Sequence, residues 1–142
     1  MSMMHKPLDG KLVVLIEEDA PLAEYIGGGL NDSGAQIVGP ARTVAEATTL
    51  LFRLRTRPLA AIVSMELFGA EGGTVGNCLT RLAAPVLMIR KGGCRLLPSS
   101  ICYSVITVPF TVHQVVNHIV SLHEAGTVAR TRERTGPVLR GH

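Results

Sequence analysis

Glu18 and Asp19 stand side by side just after an apolar run, Lys11–Ile16, and adjacent carboxylates at a strand end are the oxygen ligands that hard divalent cations take. Ser64 closes a second apolar run, Leu59–Val63. Its hydroxyl is neutral and poorly nucleophilic without an activating base, and no histidine base stands in its local sequence. Arg90 closes a third run, Pro85–Ile89, and its guanidinium can form a charge-assisted pair with Glu18 or Asp19. Val108 closes a fourth and offers no charge at all. These five positions lie at or beside the ends of expected strands. What they can do depends on whether the chain brings those ends together.

The elements that would do so can be read along the chain. Lys11–Ile16 is short, unbroken and apolar, as a strand buried on both faces is. Leu22, Ile26 and Leu30 recur at helical spacing over 20–32, with Pro21 suited to a first turn. Gly27, Gly28 and Gly29 argue against that helix, at about 1 kcal/mol each relative to alanine, and imply a bend or an unusually close neighbour. Ala35–Val38 reads as a second strand. Thr43 and Glu46 have the spacing of a capping box, opening a helix whose inner face carries Val44, Ala47, Leu51 and Leu54. After the third strand, a glycine-rich loop over 68–73 leads to a short helix with Val75, Leu79 and Leu82 inward. The fourth strand follows, then punctuation at Lys91–Cys94 and Pro98–Ser100 that leaves little room for a regular fourth crossover helix. A fifth strand lies within 101–108. Thr111 caps a last helix bearing Val112, Val115, Ile119 and Leu122.

Strands and helices alternate, and parallel strands need right-handed crossovers. The expected fold class is therefore α/β, a five-stranded parallel sheet covered on both faces. Residues 1–10 read as a flexible lead, 11–122 as the folded domain, and 123–142 as a basic, disordered tail carrying Arg130, Arg132, Arg134 and Arg140. Too little chain follows 122 for a further ordinary domain.

Composition narrows the function. With no Trp, 4% aromatic and 46% hydrophobic residues, the core must be aliphatic. No apolar run is long enough for a membrane span and no secretory signal opens the chain, so a cytoplasmic location is expected. Cys78, Cys94 and Cys102 are odd in number and scattered, as free thiols are, with Cys78 expected to be buried. No compact zinc-ligand spacing exists, and His113 and His118 read as helix-surface residues. The net charge of +3 is modest and the basic tail lacks interleaved aromatics, so nucleic acid is not an expected partner. Gly69–Gly73 lacks the ending of a phosphate loop, and Gly27–Gly29 lacks a dinucleotide fingerprint.

Taken in order, Val13–Leu22, Val38–Ala47, Arg57–Ser64, Gly69, Pro85–Ile89 and Val108–Phe110 resemble the receiver domain of two-component response regulators, over about 11–122. The resemblance implies a flavodoxin-like three-layer sandwich with strand order 2-1-3-4-5. It places Glu18 and Asp19 where the family holds a divalent cation, Ser64 at the phosphoacceptor carboxylate, Arg90 at the switch hydroxyl and Val108 at the phosphate-gripping lysine. Glu66 falls where the family lends a backbone carbonyl to the cation, its side chain at the rim. On this reading Ser64 cannot carry an acyl phosphate, and Arg90 and Val108 replace neither switch residue.

The expectation is a degenerate, phosphorylation-independent module. It has no catalytic residue and no cofactor, and Arg90 fills the vacated cation site beside Glu18 and Asp19, the weaker alternative being a metal held by that pair. Its partner would be a protein, a sensor kinase or a regulator. In relatives the stretch matching 91–122 forms dimer or output surfaces, and here Leu96, Leu97, Ile101, Tyr103 and Val112 would line one, for a partner or a second copy. The alternative is a small-ligand or anion sensor using the altered acidic edge.

Overall fold

The computed structural model describes residues 6–69, 73–91 and 103–122. In chain order the elements are β1 (Leu12–Ile16), α1 (Ala20–Asp32), β2 (Gln36–Ala41), α2 (Val44–Arg53), β3 (Ala60–Ser64), the single turn α3 (Met65–Phe68), α4 (Thr74–Leu82), β4 (Val86–Arg90), β5 (Tyr103–Thr107) and α5 (112–122). The strands form one parallel sheet in the order β2-β1-β3-β4-β5. This is the expected flavodoxin-like α/β sandwich.

Side chains along a strand alternate between the sheet's faces, and the two halves of the core follow that alternation. Val13, Leu15, Ile62, Leu87 and Ile89 pack with Ile26 and Leu30 of α1 and Val115 and Ile119 of α5. Val14, Ile16, Val63, Val86 and Met88 pack with Leu51 of α2 and Val75 and Leu79 of α4. Both faces are covered, which is why β1, β3 and β4 are apolar at every position but the last of β3 and of β4. Cys78 is buried in the second half of the core, as expected.

The helix starts follow from their caps. Asp19 accepts from the Leu22 N–H at 3.0 Å and Pro21 occupies the first turn of α1. Thr43 accepts from the Glu46 N–H at 3.1 Å, while Glu46 reaches back to the Arg42 N–H at 2.7 Å. Thr111 and Gln114 cap α5 reciprocally, side chain to backbone in both directions.

α1 runs unbroken through its three glycines. Gly29 explains the tolerance, because a Cβ there would lie 2.1 Å from Val112 Cγ2 of α5, so the helices meet at a distance only glycine allows. Gly28 has open space around it. Gly28→Ala should therefore stabilise the fold by about 1 kcal/mol through helix propensity alone, raising the midpoint of urea unfolding at unchanged slope.

Two expectations are corrected. Residues 6–10 are not a flexible lead: Leu8 is buried in the core, its N–H donates to the Ser33 carbonyl at 2.9 Å, and the Gly10 N–H donates to Gly34. β2 extends through Gly39 and Pro40 instead of stopping at Val38. As an edge strand it can hold a proline with no N–H, and Gly39, at φ +113°, sits where a Cβ would come 2.6 Å from the Leu15 carbonyl oxygen. Val112 is half-buried and borders a surface cavity together with Val116 and Asn117. It packs on Gly29, and its N–H donates to the Tyr25 hydroxyl at 3.0 Å. The expectations for residues 70–72, for the fourth crossover with Leu96, Leu97 and Ile101, for the Tyr103 side chain and for the tail at 123–142 lie outside the described residues.

Candidate functional site

The C-terminal ends of β1, β3 and β4 meet at one edge, where ligand sites of such sheets lie. Register fixes the alignment. Ile16 is level with Val63, and Ser64 with Ile89. Glu17, next after Ile16, and Lys91, two positions beyond Ile89 and so on the same face, therefore come to the same corner as Ser64. Glu17 is wholly buried, a carboxylate at the end of an apolar strand. The Lys91 ammonium bonds Glu17 Oε2 and also Glu18 Oε2, the latter at 2.8 Å. Glu17 Oε2 accepts a further bond from the Asp19 N–H at 2.8 Å. The other oxygens, Glu17 Oε1 and Glu18 Oε1, are buried without a hydrogen-bond partner.

Two expected roles change. The acidic pair is Glu17 with Glu18, not Glu18 with Asp19, because the Asp19 carboxylate is committed to the first turn of α1. The cation beside the acids is Lys91, not Arg90. Alternation gives the reason. Arg90 follows Val86 and Met88 on the α2–α4 face, whereas Lys91 follows Leu87 and Ile89 on the α1–α5 face that Glu17 shares with Val13 and Leu15. Arg90 instead donates to Thr107 Oγ1 at 3.2 Å, its directly paired neighbour on β5. Glu17 and Lys91 are the residues sequence reasoning missed, and counting alternate positions along the two buried strands would have found both.

Ser64 lies where expected, at the end of the central strand and fully buried. Its hydroxyl accepts from the Glu66 N–H at 3.2 Å and caps α3. The Glu66 side chain is exposed at the rim. Val108 is half-buried against the core, its N–H donating to the Arg90 carbonyl at 2.9 Å, so no charge stands there. The Val108–Pro109 bond is cis.

The charges shift one another. Burial pushes the Glu17 carboxyl up, against the opposing pull of Lys91 and the Asp19 N–H, and the neighbouring Glu18 charge pushes it further. Burial works the same way on Glu18, but the Lys91 and Ser64 hydrogen bonds outweigh it and hold that carboxyl low. Burial would depress Lys91, yet its bonds to both carboxylates raise it.

A divalent cation, which the receiver resemblance implies, does not fit this arrangement. Hard cations want several oxygen ligands. Here two carboxylates are already bridged by an ammonium, and the third acid is a serine. Among the described residues no cluster of three or more His, Cys, Asp or Glu side chains could hold a metal.

The fold is that of solved response regulator receiver domains. A receiver domain protein from Bacillus halodurans c-125 superposes with a TM-score of 0.65 at 21% identity, covering 80% of this chain and 97% of its own. The response regulator PhyR from Brucella abortus gives 0.65 at 21%, over 92% of this chain and 54% of its own. The anti-anti-sigma factor PhyR from Bartonella quintana gives 0.66 at 23%, over 87% and 51%. This chain thus corresponds to about half of either PhyR. No protein-family model matches the sequence, and no curated protein matches it.

Proposed function

We propose that this chain is a phosphorylation-independent, receiver-like interaction module of bacterial signal transduction, binding a protein partner and catalysing nothing. The observation that carries the reading is Ser64. The residue at the end of β3 is a buried helix cap with no carboxylate to phosphorylate, and no histidine lies in its local sequence. Phosphoryl transfer needs a nucleophile, a cation and compensation of developing charge. Ser64 removes the first, and the Lys91 bridge across the acids obstructs the second. Val108 contributes nothing to the third.

A protein partner, a sensor kinase or a regulator, accords with the likeness to PhyR, one of whose structures is described as an anti-anti-sigma factor. Among the described residues no helix is long and apolar enough to cross a membrane, which accords with action in the cytoplasm. An anion sensor is the weaker reading, because two carboxylates face one ammonium at this edge and the residual field repels anions.

Incubation with a small phosphodonor and magnesium, followed by intact mass, tests the central statement. The mass is expected to stay that of the unmodified chain. A stoichiometric phosphorylated adduct overturns the proposal.

A further inference from the structure

One end of the α2–α4 face carries positive charge that nothing among the described residues offsets. Arg53 at the end of α2, Arg55 and Arg57 in the loop after it, and Arg81 in the last turn of α4 are all exposed. No Asp or Glu occurs at 47–65 or at 72–123, and among the described residues none of these arginines makes an ion pair. Phe52 stands beside them 68% exposed, with the Arg81 guanidinium 5.1 Å from the centre of its ring. On the flank of α2 that meets the edge strand β2, Arg53 joins Val38, Leu50 and Leu54 in lining a largely apolar cleft of about 550 Å³. We propose that this surface docks an acidic segment of a partner protein, its carboxylates on Arg53, Arg55, Arg57 and Arg81 and its apolar side chains on Phe52 and in the cleft. The proposal rests on the reading of the chain as a protein-interaction module and gives that partner its chemistry.

A lone exposed phenylalanine is ordinary on a protein surface, and so is a lone arginine; their conjunction at one acid-free end is not. Like charges crowded together repel, so this end of the fold bears a cost that an acidic ligand removes. Exposed Arg–carboxylate pairs are each weak. Several acting together around a desolvated aromatic ring make a protein interface, whose centre is enriched in Arg and aromatic side chains. Stacking on Phe52 uses the flat face of the Arg81 guanidinium and holds it in place, while its edge keeps N–H donors for a two-pronged pair with a carboxylate. A nucleic acid is the poorer fit. Its phosphates would use the arginines and leave the apolar cleft empty, and a single phenylalanine offers no run of rings for successive bases.

The probe is a fluorescein-labelled peptide alternating glutamate with leucine, titrated with the full chain and read by fluorescence anisotropy. Binding is expected to weaken at least about tenfold as salt rises from about 0.05 M to about 0.5 M, because screening shortens from more than about 10 Å to about 4 Å. Arg81→Glu should cost at least about tenfold in affinity and Phe52→Ser at least about fivefold, as anchors at an interface centre do. Peptides with glutamine for glutamate, or serine for leucine, should each bind at least about tenfold more weakly. Arg55→Gln should weaken binding while leaving the midpoint of urea unfolding unchanged or higher, since it relieves repulsion in the free chain. A midpoint that falls with the affinity would show that the arginines serve the fold and would overturn the proposal. No binding at low salt would overturn it, and so would binding indifferent to Arg81→Glu. Tighter binding of a single-stranded oligothymidylate than of the peptide would assign the surface to nucleic acid instead. Light scattering that shows the chain pairing with itself, lost in Arg81→Glu, would assign it to a second copy; either result sinks the proposal. If Arg81→Glu does not fold, Arg55→Gln and the salt series decide. An adduct in the phosphodonor experiment would remove phosphorylation independence without altering any of these affinities.

Discussion

Lys91→Met is expected to lower the stability of the fold by about 3 kcal/mol near neutral pH, measured by urea unfolding in chelator. Removing one partner of a buried ion pair leaves an uncompensated charge and costs roughly 3–5 kcal/mol. The low end applies because Lys91 is 24% exposed and Glu18 34%. Methionine keeps most of the stem's packing, so the loss reports charge more than volume. The pH dependence separates this account from a packing defect. In the unaltered chain the depressed Glu18 carboxyl contributes stability present above its ordinary value of 4.5 and lost as pH falls through its folded value. The raised Lys91 contributes stability that is complete below 10.5 and lost as pH climbs through its own folded value. In the variant the Lys91 contribution vanishes and the Glu18 contribution shrinks to what its Ser64 and backbone bonds supply. Glu17, relieved of the one side chain that pulled it down, is raised further by burial and by Glu18. A raised carboxyl contributes its stability below 4.5 and loses it as pH rises, so the variant is penalised on ionisation. The difference between the two proteins should therefore be widest between about 4.5 and 10.5 and narrow on either side. A difference independent of pH would show that Lys91 acts only by filling space.

The same corner shows what the sequence made legible and what it hid. Every strand and long helix within the described residues was readable, because the core uses aliphatic residues in short runs buried on both faces, Pro21 suits the first turn of α1, and Thr43 and Thr111 cap α2 and α5. The position of Ser64 was readable for the same reason, as the residue that ends such a run. The partners of the acidic pair were misassigned because adjacent residues look equivalent in a linear pattern and are not equivalent in a sheet. Arg90 and Lys91 are neighbours in sequence but face opposite layers, and Glu17 and Asp19 differ by commitment to a strand end and to a helix cap. The single turn α3 went unseen because it consists of four residues directly after a strand, too few for any periodicity. The burial of Leu8 was hidden because an isolated apolar residue between Pro7 and Asp9 carries no pattern of its own.

Gly29→Ala is expected to destabilise by about 2 kcal/mol, opposite in sign to its neighbour Gly28. Helix propensity alone favours alanine at either position by about 1 kcal/mol, so the sign is decided by what the new methyl meets. At Gly28 it meets nothing; at Gly29 it would stand 2.1 and 2.6 Å from the two Val112 methyls and 2.7 Å from the Val112 Cβ. Overpacking of this kind costs roughly 1–3 kcal/mol, and relief is hard to find. Val112 is β-branched with a stiff side-chain torsion. Its backbone is also tied to α1 by the Tyr25 hydroxyl, four residues before Gly29 and so on the same helix face. The first turn of α5 is thus held to α1 at two points one helical turn apart, and a methyl at the second must push against the hydrogen bond at the first. The strain should appear as faster amide exchange at the start of α5, with β1, β3 and β4 little changed. In a Val112→Ala background the two shortest contacts disappear and only the 2.7 Å approach remains, so the cost of Gly29→Ala should fall by half or more. Strictly additive effects in that double-mutant cycle would mean that Gly29 is needed for a reason other than the approach of α5.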